Sequence, residues 1–127
     1  MQEHPHAVIW IDHHEARIIR FDREGSDEAV IHPDLPHHHL HVKAGTRGGT
    51  RATEDQGFYH EVATAVADAR SVFVAGPANA KTEFVKHIDR HDPELAKRVA
   101  GVEPMDHVTD GELLAAARRF LKRADRM

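Results

Sequence analysis

Cysteine is absent from this 127-residue chain, which excludes disulfide bonds, thiolate metal sites and cysteine nucleophiles. Serine occurs only at positions 26 and 71, and neither residue lies in the Gly-x-Ser-x-Gly pattern of serine hydrolases. No apolar run approaches the roughly 20 residues that cross a bilayer. The N-terminus lacks the basic and apolar regions of a signal peptide. These absences predict a cytoplasmic protein with no membrane partner.

Histidine is unusually frequent, with 13 residues, whereas the formal net charge is only -4. A negative net charge is not typical of a nucleic-acid-binding protein. Any nucleic-acid contact must therefore come from a locally basic segment of the chain. Hydrophobic residues make up 40% and charged residues 30% of the chain, which indicates a folded globular protein rather than a disordered one. The length fits one domain, over residues 1–127.

The order of strand and helix patterns predicts an α/β domain. Runs of β-branched and apolar residues predict strands at 7–12, 16–22, 28–32, 71–75 and 98–104. Helical spacing predicts helices at about 54–69, after Asn79, from Pro93 and after Thr109. Capping boxes at Thr53–Gln56 and Thr109–Glu112 mark two of the helix starts, and Asn79 is a candidate N-cap for another. The first three strands form an antiparallel meander, and each later strand is followed by a helix, which indicates parallel crossovers. We expect a mixed sheet in the order β-β-β-α-β-α-β-α, with helices packed on it.

A glycine-rich basic segment precedes the first predicted helix. Residues 43–53 show no helical period and predict an exposed, flexible loop. No acidic residue lies between His37 and Thr53, and bare glycine backbone can approach a phosphate closely. The segment therefore suits contact with an RNA backbone, although an ordinary surface loop has the same composition. The candidate RNA-binding residues are Lys43, Gly45, Arg47, Gly48, Gly49, Thr50 and Arg51.

The cluster at residues 37–41 is a candidate metal site. On an extended strand His37, His39 and His41 would point to one face, and imidazole binds zinc or nickel. No carboxylate lies nearby to orient the rings, which favours a solvated polar loop instead. We therefore expect no resident cofactor. The alternative function is that of a metal- or pH-responsive binding protein that holds zinc or nickel at this cluster.

Patterns typical of enzymes are incomplete. His60-Glu61 begins a zincin-like sequence, but Thr64 stands where the second metal-binding histidine is required. The glycine-rich segment does not match a nucleotide-binding P-loop. The motifs favour a binding protein over an enzyme. Hydrolysis of an ester or phosphodiester through Thr50, Asp12 or His60 is the weakest of the alternatives.

Three segments resemble, in the same order, a family of translation proteins. Residues 76–84, Gly-Pro-Ala-Asn-Ala-Lys-Thr-Glu-Phe, follow a strand and open a helix, as in the middle domain of Pelota and the archaeal-eukaryotic class-1 release factors. Residues 10–17 resemble the strand–turn–strand that begins that domain. The glycine-rich segment lies just before a long helix, where release factors carry their Gly-Gly-Gln loop. The chain looks closest to the small single-domain bacterial members of this superfamily, often called translational machinery proteins.

The resemblance implies a ribonuclease-H-like fold and a translation-related protein that associates with the ribosome, its rRNA or tRNA. Thr50 follows Gly48 and Gly49, at the position where release factors have the glutamine implicated in placing water at the peptidyl-tRNA ester. A threonine hydroxyl lacks the carboxamide, so we do not extend the resemblance to peptide release. A homodimer is a further alternative, because an exposed edge strand of the meander can pair with the same strand of a second copy.

Overall fold

The computed structural model describes residues 4–33 and 47–126, with side chains at 4–33 and 56–123. Five strands form one sheet with the spatial order β3-β2-β1-β4-β5. β1 pairs antiparallel with β2, and β2 pairs antiparallel with β3. β4 and β5 extend the sheet in parallel from β1, which confirms the predicted mixed sheet with one antiparallel end. The strands are β1 (His6–Ile11), β2 (Ala16–Phe21), β3 (Ser26–Ile31), β4 (Ser71–Gly76) and β5 (Val99–Pro104).

The helices connect the parallel strands and cover the sheet, as the α/β pattern predicts. One long helix leads into β4, two helices lie between β4 and β5, and one helix follows β5. Within the described ranges, no helix is both long enough and apolar enough to cross a membrane. The helices are α1 (Arg47–Ala65), α2 (Ala80–His91), α3 (Pro93–Ala96) and α4 (Asp110–Arg126).

The central strand β1 separates two hydrophobic cores, because alternate side chains of a strand point to opposite faces. Ala7, Ile9 and Ile11 belong to the cluster that contains α1, α2 and α3. Val8 and Trp10 belong to the cluster that contains α4. The continuous apolar run of β1 in the sequence is therefore the mark of a strand that is buried on both faces.

α1 corrects the predicted boundaries of the first helix. It begins at Arg47 rather than at residue 54, and it ends at Ala65 rather than at residue 69. The predicted loop at 43–53 is thus helical from Arg47 onward, and residues 43–46 lie outside the described residues. Once Phe58 and Val62 have packed on the sheet, each further residue adds one backbone hydrogen bond without a new nucleation cost. That gain opposes the about 1 kcal/mol propensity cost of each glycine.

The two predicted N-caps differ in the structure. At the start of α4, the Glu112 amide donates to Thr109 Oγ1 at 3.1 Å and the Thr109 amide donates to Glu112 Oε1 at 2.9 Å. This reciprocal pair confirms the predicted capping box. Asn79 is the N-cap residue of α2, but its side chain makes no capping hydrogen bond. The Thr53–Gln56 pattern does not start a helix, because both residues lie inside α1.

Candidate functional site

The predicted RNA-binding residues fall into two groups. Lys43 and Gly45 lie outside the described residues, as does the predicted metal cluster His37, His39 and His41. The other group forms the beginning of α1: Arg47, Gly48, Gly49, Thr50 and Arg51. The structure therefore gives these glycines a helical backbone, which composition alone did not indicate because glycine is a poor helix former.

The Gly-Pro segment after β4 is held by close backbone packing. A β-carbon on Gly76 would collide with the carbonyl oxygen of Ile11, at the end of the neighbouring strand β1. The Met105 amide donates to the Gly76 carbonyl at 2.9 Å. Glycine is required at this point because two strand ends and the start of the next connection meet there.

Lys81, the lysine of the Gly-Pro-x-x-x-Lys segment, closes the turn that leads into α2. Its Nζ donates to the carbonyl of Ala78 at 2.5 Å. The Glu83 amide donates to the Asn79 carbonyl at 2.9 Å. The segment that carries the resemblance in sequence is thus a structural feature of the β4–α2 connection.

Trp10 and Arg17 connect the sheet to α4. Trp10 Nε1 donates to the carbonyls of Met105 and Asp106, each at 3.2 Å. The Arg17 guanidinium lies over the Trp10 ring, 4.8 Å from its centroid, and Arg17 Nη1 donates to Asp110 Oδ1 at 2.9 Å. A stacked arginine paired with a carboxylate fixes both partners, so this cluster orients the start of α4.

Asp12, which the sequence offers as a catalytic carboxylate, organises the β1–β2 turn. Its Oδ1 accepts hydrogen bonds from the amides of His14 and Glu15, at 2.8 and 2.9 Å. Its Oδ2 lies 3.6 Å from His107 Nε2. Across 4–33 and 47–126, no group of three or more histidine, aspartate and glutamate side chains is placed to hold a metal ion. The geometry around Asp12 is that of an Asx turn.

A histidine pair lies where α1 packs on α2. The rings of His87 and His91 are 4.6 Å apart, and His87 Nδ1 lies 2.5 Å from Gln56 Oε1. Burial lowers the pKa of His87, and the charges of His91, His60 and Arg90 lower it further. Sequence reasoning missed this buried histidine, although its position three residues after Phe84, on the buried face of α2, could have indicated it.

The second half of α4 forms a basic surface against the β2–β3 turn. Arg118 Nε and Nη2 donate to the Asp22 carbonyl at 3.2 and 2.9 Å, and Nη2 also donates to the Gly25 carbonyl at 3.3 Å. The basic residues of this helix are visible in the sequence, but the turn that they meet is distant in the chain and no local pattern indicates the contact.

Comparison with known proteins identifies the fold. No protein-family model matches the chain, and no curated protein matches it. Among solved structures, Archaeoglobus fulgidus Pelota matches with a TM-score of 0.63 at 20% identity, over 90% of this chain and 30% of that one. An archaeal translation termination factor, aRF1, matches with a TM-score of 0.61 at 17% identity, over 92% of this chain and 34% of that one.

A third match is Saccharomyces cerevisiae Dom34, described as a translation termination-like factor involved in RNA quality control pathways, with a TM-score of 0.51 at 9% identity over 80% of this chain and 29% of that one. The chain thus spans about a third of the length of these proteins. The domain has the release-factor-like middle-domain fold, which confirms the fold that the resemblance implied.

Proposed function

We propose that this protein acts in translation, by binding the ribosome or tRNA through the basic segment at residues 43–51. The observation that supports the proposal most is the fold, which is similar to that of Pelota and aRF1. The segment itself supplies Lys43, Arg47 and Arg51 without an acidic residue. Lysine and arginine bind phosphates by releasing condensed counterions.

The start of α1 changes the form of the proposed contact. Arg47 and Arg51 are one helical turn apart in α1. The amide groups in the first turn of a helix lack acceptors within that helix, and they attract anions. Gly48 and Gly49 carry no side chain that would keep a phosphate away from this backbone. The proposed interface is therefore the beginning of a helix with its preceding residues, rather than a wholly flexible loop.

The proposed protein binds the ribosome or tRNA but does not release the peptide from peptidyl-tRNA. Thr50 stands in place of the release-factor glutamine implied by the resemblance, and a hydroxyl cannot supply the geometry of a carboxamide. Incubation of the protein with ribosomes carrying peptidyl-tRNA, followed by measurement of released peptide, tests this part. Release that disappears in Thr50→Ala would overturn it.

Ribosome co-sedimentation from lysate tests the binding proposal. The variant Lys43→Ala/Arg47→Ala/Arg51→Ala removes the three charges of the segment. The matched control Arg70→Ala/Lys86→Ala/Arg90→Ala removes three exposed charges elsewhere. We expect wild type and control to pellet with ribosomes at low salt and a much smaller fraction of the segment variant to do so.

Salt dependence provides the second part of that test. Binding through about three phosphate contacts predicts that log K falls against log salt with a slope of about -2 to -3. A wild-type protein that pellets with no ribosomal fraction, or one whose segment variant pellets like the control, contradicts the proposal.

The histidine cluster at 37–41 stays a prediction. If it binds zinc or nickel, the purified protein should retain stoichiometric metal after dialysis. That metal should be lost when His37, His39 and His41 are replaced by alanine. Metal that dialyses away would remove this alternative.

A further inference from the structure

A groove of about 480 Å³ opens between the β2–β3 turn and the last turns of α4. Its walls come from two distant parts of the chain, and most of its lining side chains are basic. The lining residues are Asp22, Arg23, Arg118, Arg119, Leu121 and Lys122.

Arg118 joins the two walls and makes the groove a fixed feature. Its guanidinium holds the carbonyls of Asp22 and Gly25 through Nε and Nη2. The apolar side of α4 packs in the second core, where the ring centroids of Phe120 and Phe73 lie 5.7 Å apart. The relative placement of the two walls, and the position of the Arg118 charge between them, are therefore set before any ligand arrives.

Asp22, the acid of the lining, is already engaged by the turn. Its Oδ1 accepts hydrogen bonds from the amides of Glu24 and Gly25, both at 2.8 Å. These two backbone hydrogen bonds lower the pKa of Asp22. Its Oδ2 lies 3.3 Å from His4 Nδ1. The carboxylate therefore stabilises the turn and does not neutralise the cations of α4.

The remaining cations of the groove have no counter-ion among the side chains that the structure describes. Arg23, Arg119 and Lys122 are exposed, and none of them forms an ion pair or a hydrogen bond with another part of the described chain. Arg119 and Lys122 are three residues apart on α4, which places their side chains next to each other on the helix surface. Arg23 lies between Asp22, which the turn engages, and the exposed Glu24.

We propose that this groove binds the phosphate backbone of RNA, as a contact separate from the segment at 43–51. Arginine and lysine recognise phosphate oxygens through charge-assisted hydrogen bonds. An acidic protein partner is the competing occupant, but protein interfaces depend on large apolar and aromatic anchors. The large hydrophobic side chains that the described residues expose are Val30 and Val102, on β3 and β5, away from the groove.

The groove and α1, which contains the described part of the segment at 43–51, lie on different faces of the sheet. α1 packs on the face of Ile9 and Ile11, whereas α4 packs on the face of Val8 and Trp10. The two contacts can therefore be altered independently. The groove proposal does not need the segment to bind RNA, and loss of one contact leaves the other measurable.

The test is fluorescence anisotropy with a labelled 20-nucleotide oligouridylate as the probe, between 50 and 200 mM KCl. The groove variant is Arg119→Gln/Lys122→Gln, and the matched control Lys86→Gln/Arg90→Gln removes two exposed charges from α2 on the other face. Loss of two phosphate contacts predicts a salt slope shallower by about 1.4 and affinity about 25-fold weaker at 100 mM salt. The control should bind as wild type does.

Several outcomes overturn the proposal. Equal RNA affinity of wild type and groove variant does so directly, whatever the segment variant does in ribosome co-sedimentation. An equal loss in the control shows a general charge effect. If unlabelled polyglutamate of the same length competes as well as RNA does, the groove binds an acidic protein instead. If inorganic phosphate competes as well as RNA at the same concentration of phosphate groups, the groove binds a small anion instead. Circular dichroism of each variant checks that the fold is intact.

Discussion

Gly76 lies against the carbonyl oxygen of Ile11, so that the ends of the parallel strands β4 and β1 approach more closely than any residue with a β-carbon would permit. The Gly-Pro segment that starts at this glycine leads into α2 and carries the resemblance to the release-factor domain. The same glycine therefore accounts for a sequence motif and for a packing constraint of the sheet.

The first prediction concerns this contact. Gly76→Ala places a methyl group against fixed backbone, and overpacking of this kind lowers the free energy of unfolding by about 1–3 kcal/mol. Gly57→Ala is the matched control, because a β-carbon there meets nothing within 4 Å. At this exposed position of α1 the change should stabilise by about 0.5–1 kcal/mol. Urea unfolding of both variants measures the difference, and a Gly76→Ala protein as stable as wild type contradicts the contact.

The two N-caps predict unequal effects of alanine. Thr109→Ala removes the reciprocal hydrogen bonds with Glu112, and loss of such a cap costs about 1 kcal/mol. Asn79→Ala should cost less, because the Asn79 side chain makes no capping hydrogen bond. Thermal unfolding followed by circular dichroism gives both values. Equal losses would show that the capping box of α4 contributes nothing beyond the residue preference at an N-cap.

His87 predicts a pH dependence of stability. Burial lowers its pKa in the folded protein below the ordinary 6.5. Between the folded and unfolded pKa values the unfolded chain binds a proton that the folded protein does not, so the free energy of unfolding falls as the pH drops below 6.5. Above that pH both states are neutral at His87, and its contribution is constant.

The comparison that isolates this effect uses His87→Leu, with the exposed His14→Gln as the control. Urea unfolding at several pH values between 5 and 8 should show a smaller acid loss in His87→Leu than in wild type. His14→Gln should keep the wild-type profile. Parallel profiles for wild type and His87→Leu would show that the buried ring does not titrate differently in the two states.

Strand and helix order followed from local sequence patterns, because alternation and helical spacing directly reflect burial. The apolar run of β1 and the Thr109–Glu112 box are examples. The start of α1 could not be predicted in this way. Gly48 and Gly49 locally favour a loop, whereas the helix is extended from a packed region further along the chain.

Long-range contacts limited the prediction of the candidate sites in the same way. The basic residues of α4 are visible in the sequence, but Arg118 and Gly25 are 93 positions apart. No local pattern indicates that they meet and form a groove. The close backbone contact at Gly76 likewise depends on Ile11, which lies in a different strand.

The last prediction separates the structural arginine of the groove from its unpaired neighbours. Arg118→Gln removes hydrogen bonds to the carbonyls of Asp22 and Gly25, and hydrogen bonds from charged donors contribute about 1.5–3 kcal/mol. Because Arg118 is partly exposed and water can replace it, we expect a loss of about 1–2 kcal/mol in urea unfolding. Arg119→Gln/Lys122→Gln should change stability by less than about 0.5 kcal/mol, as is usual for surface positions. If this double variant is as destabilised as Arg118→Gln, its charges serve the fold, and a loss of RNA affinity in that variant would no longer report on phosphate contacts.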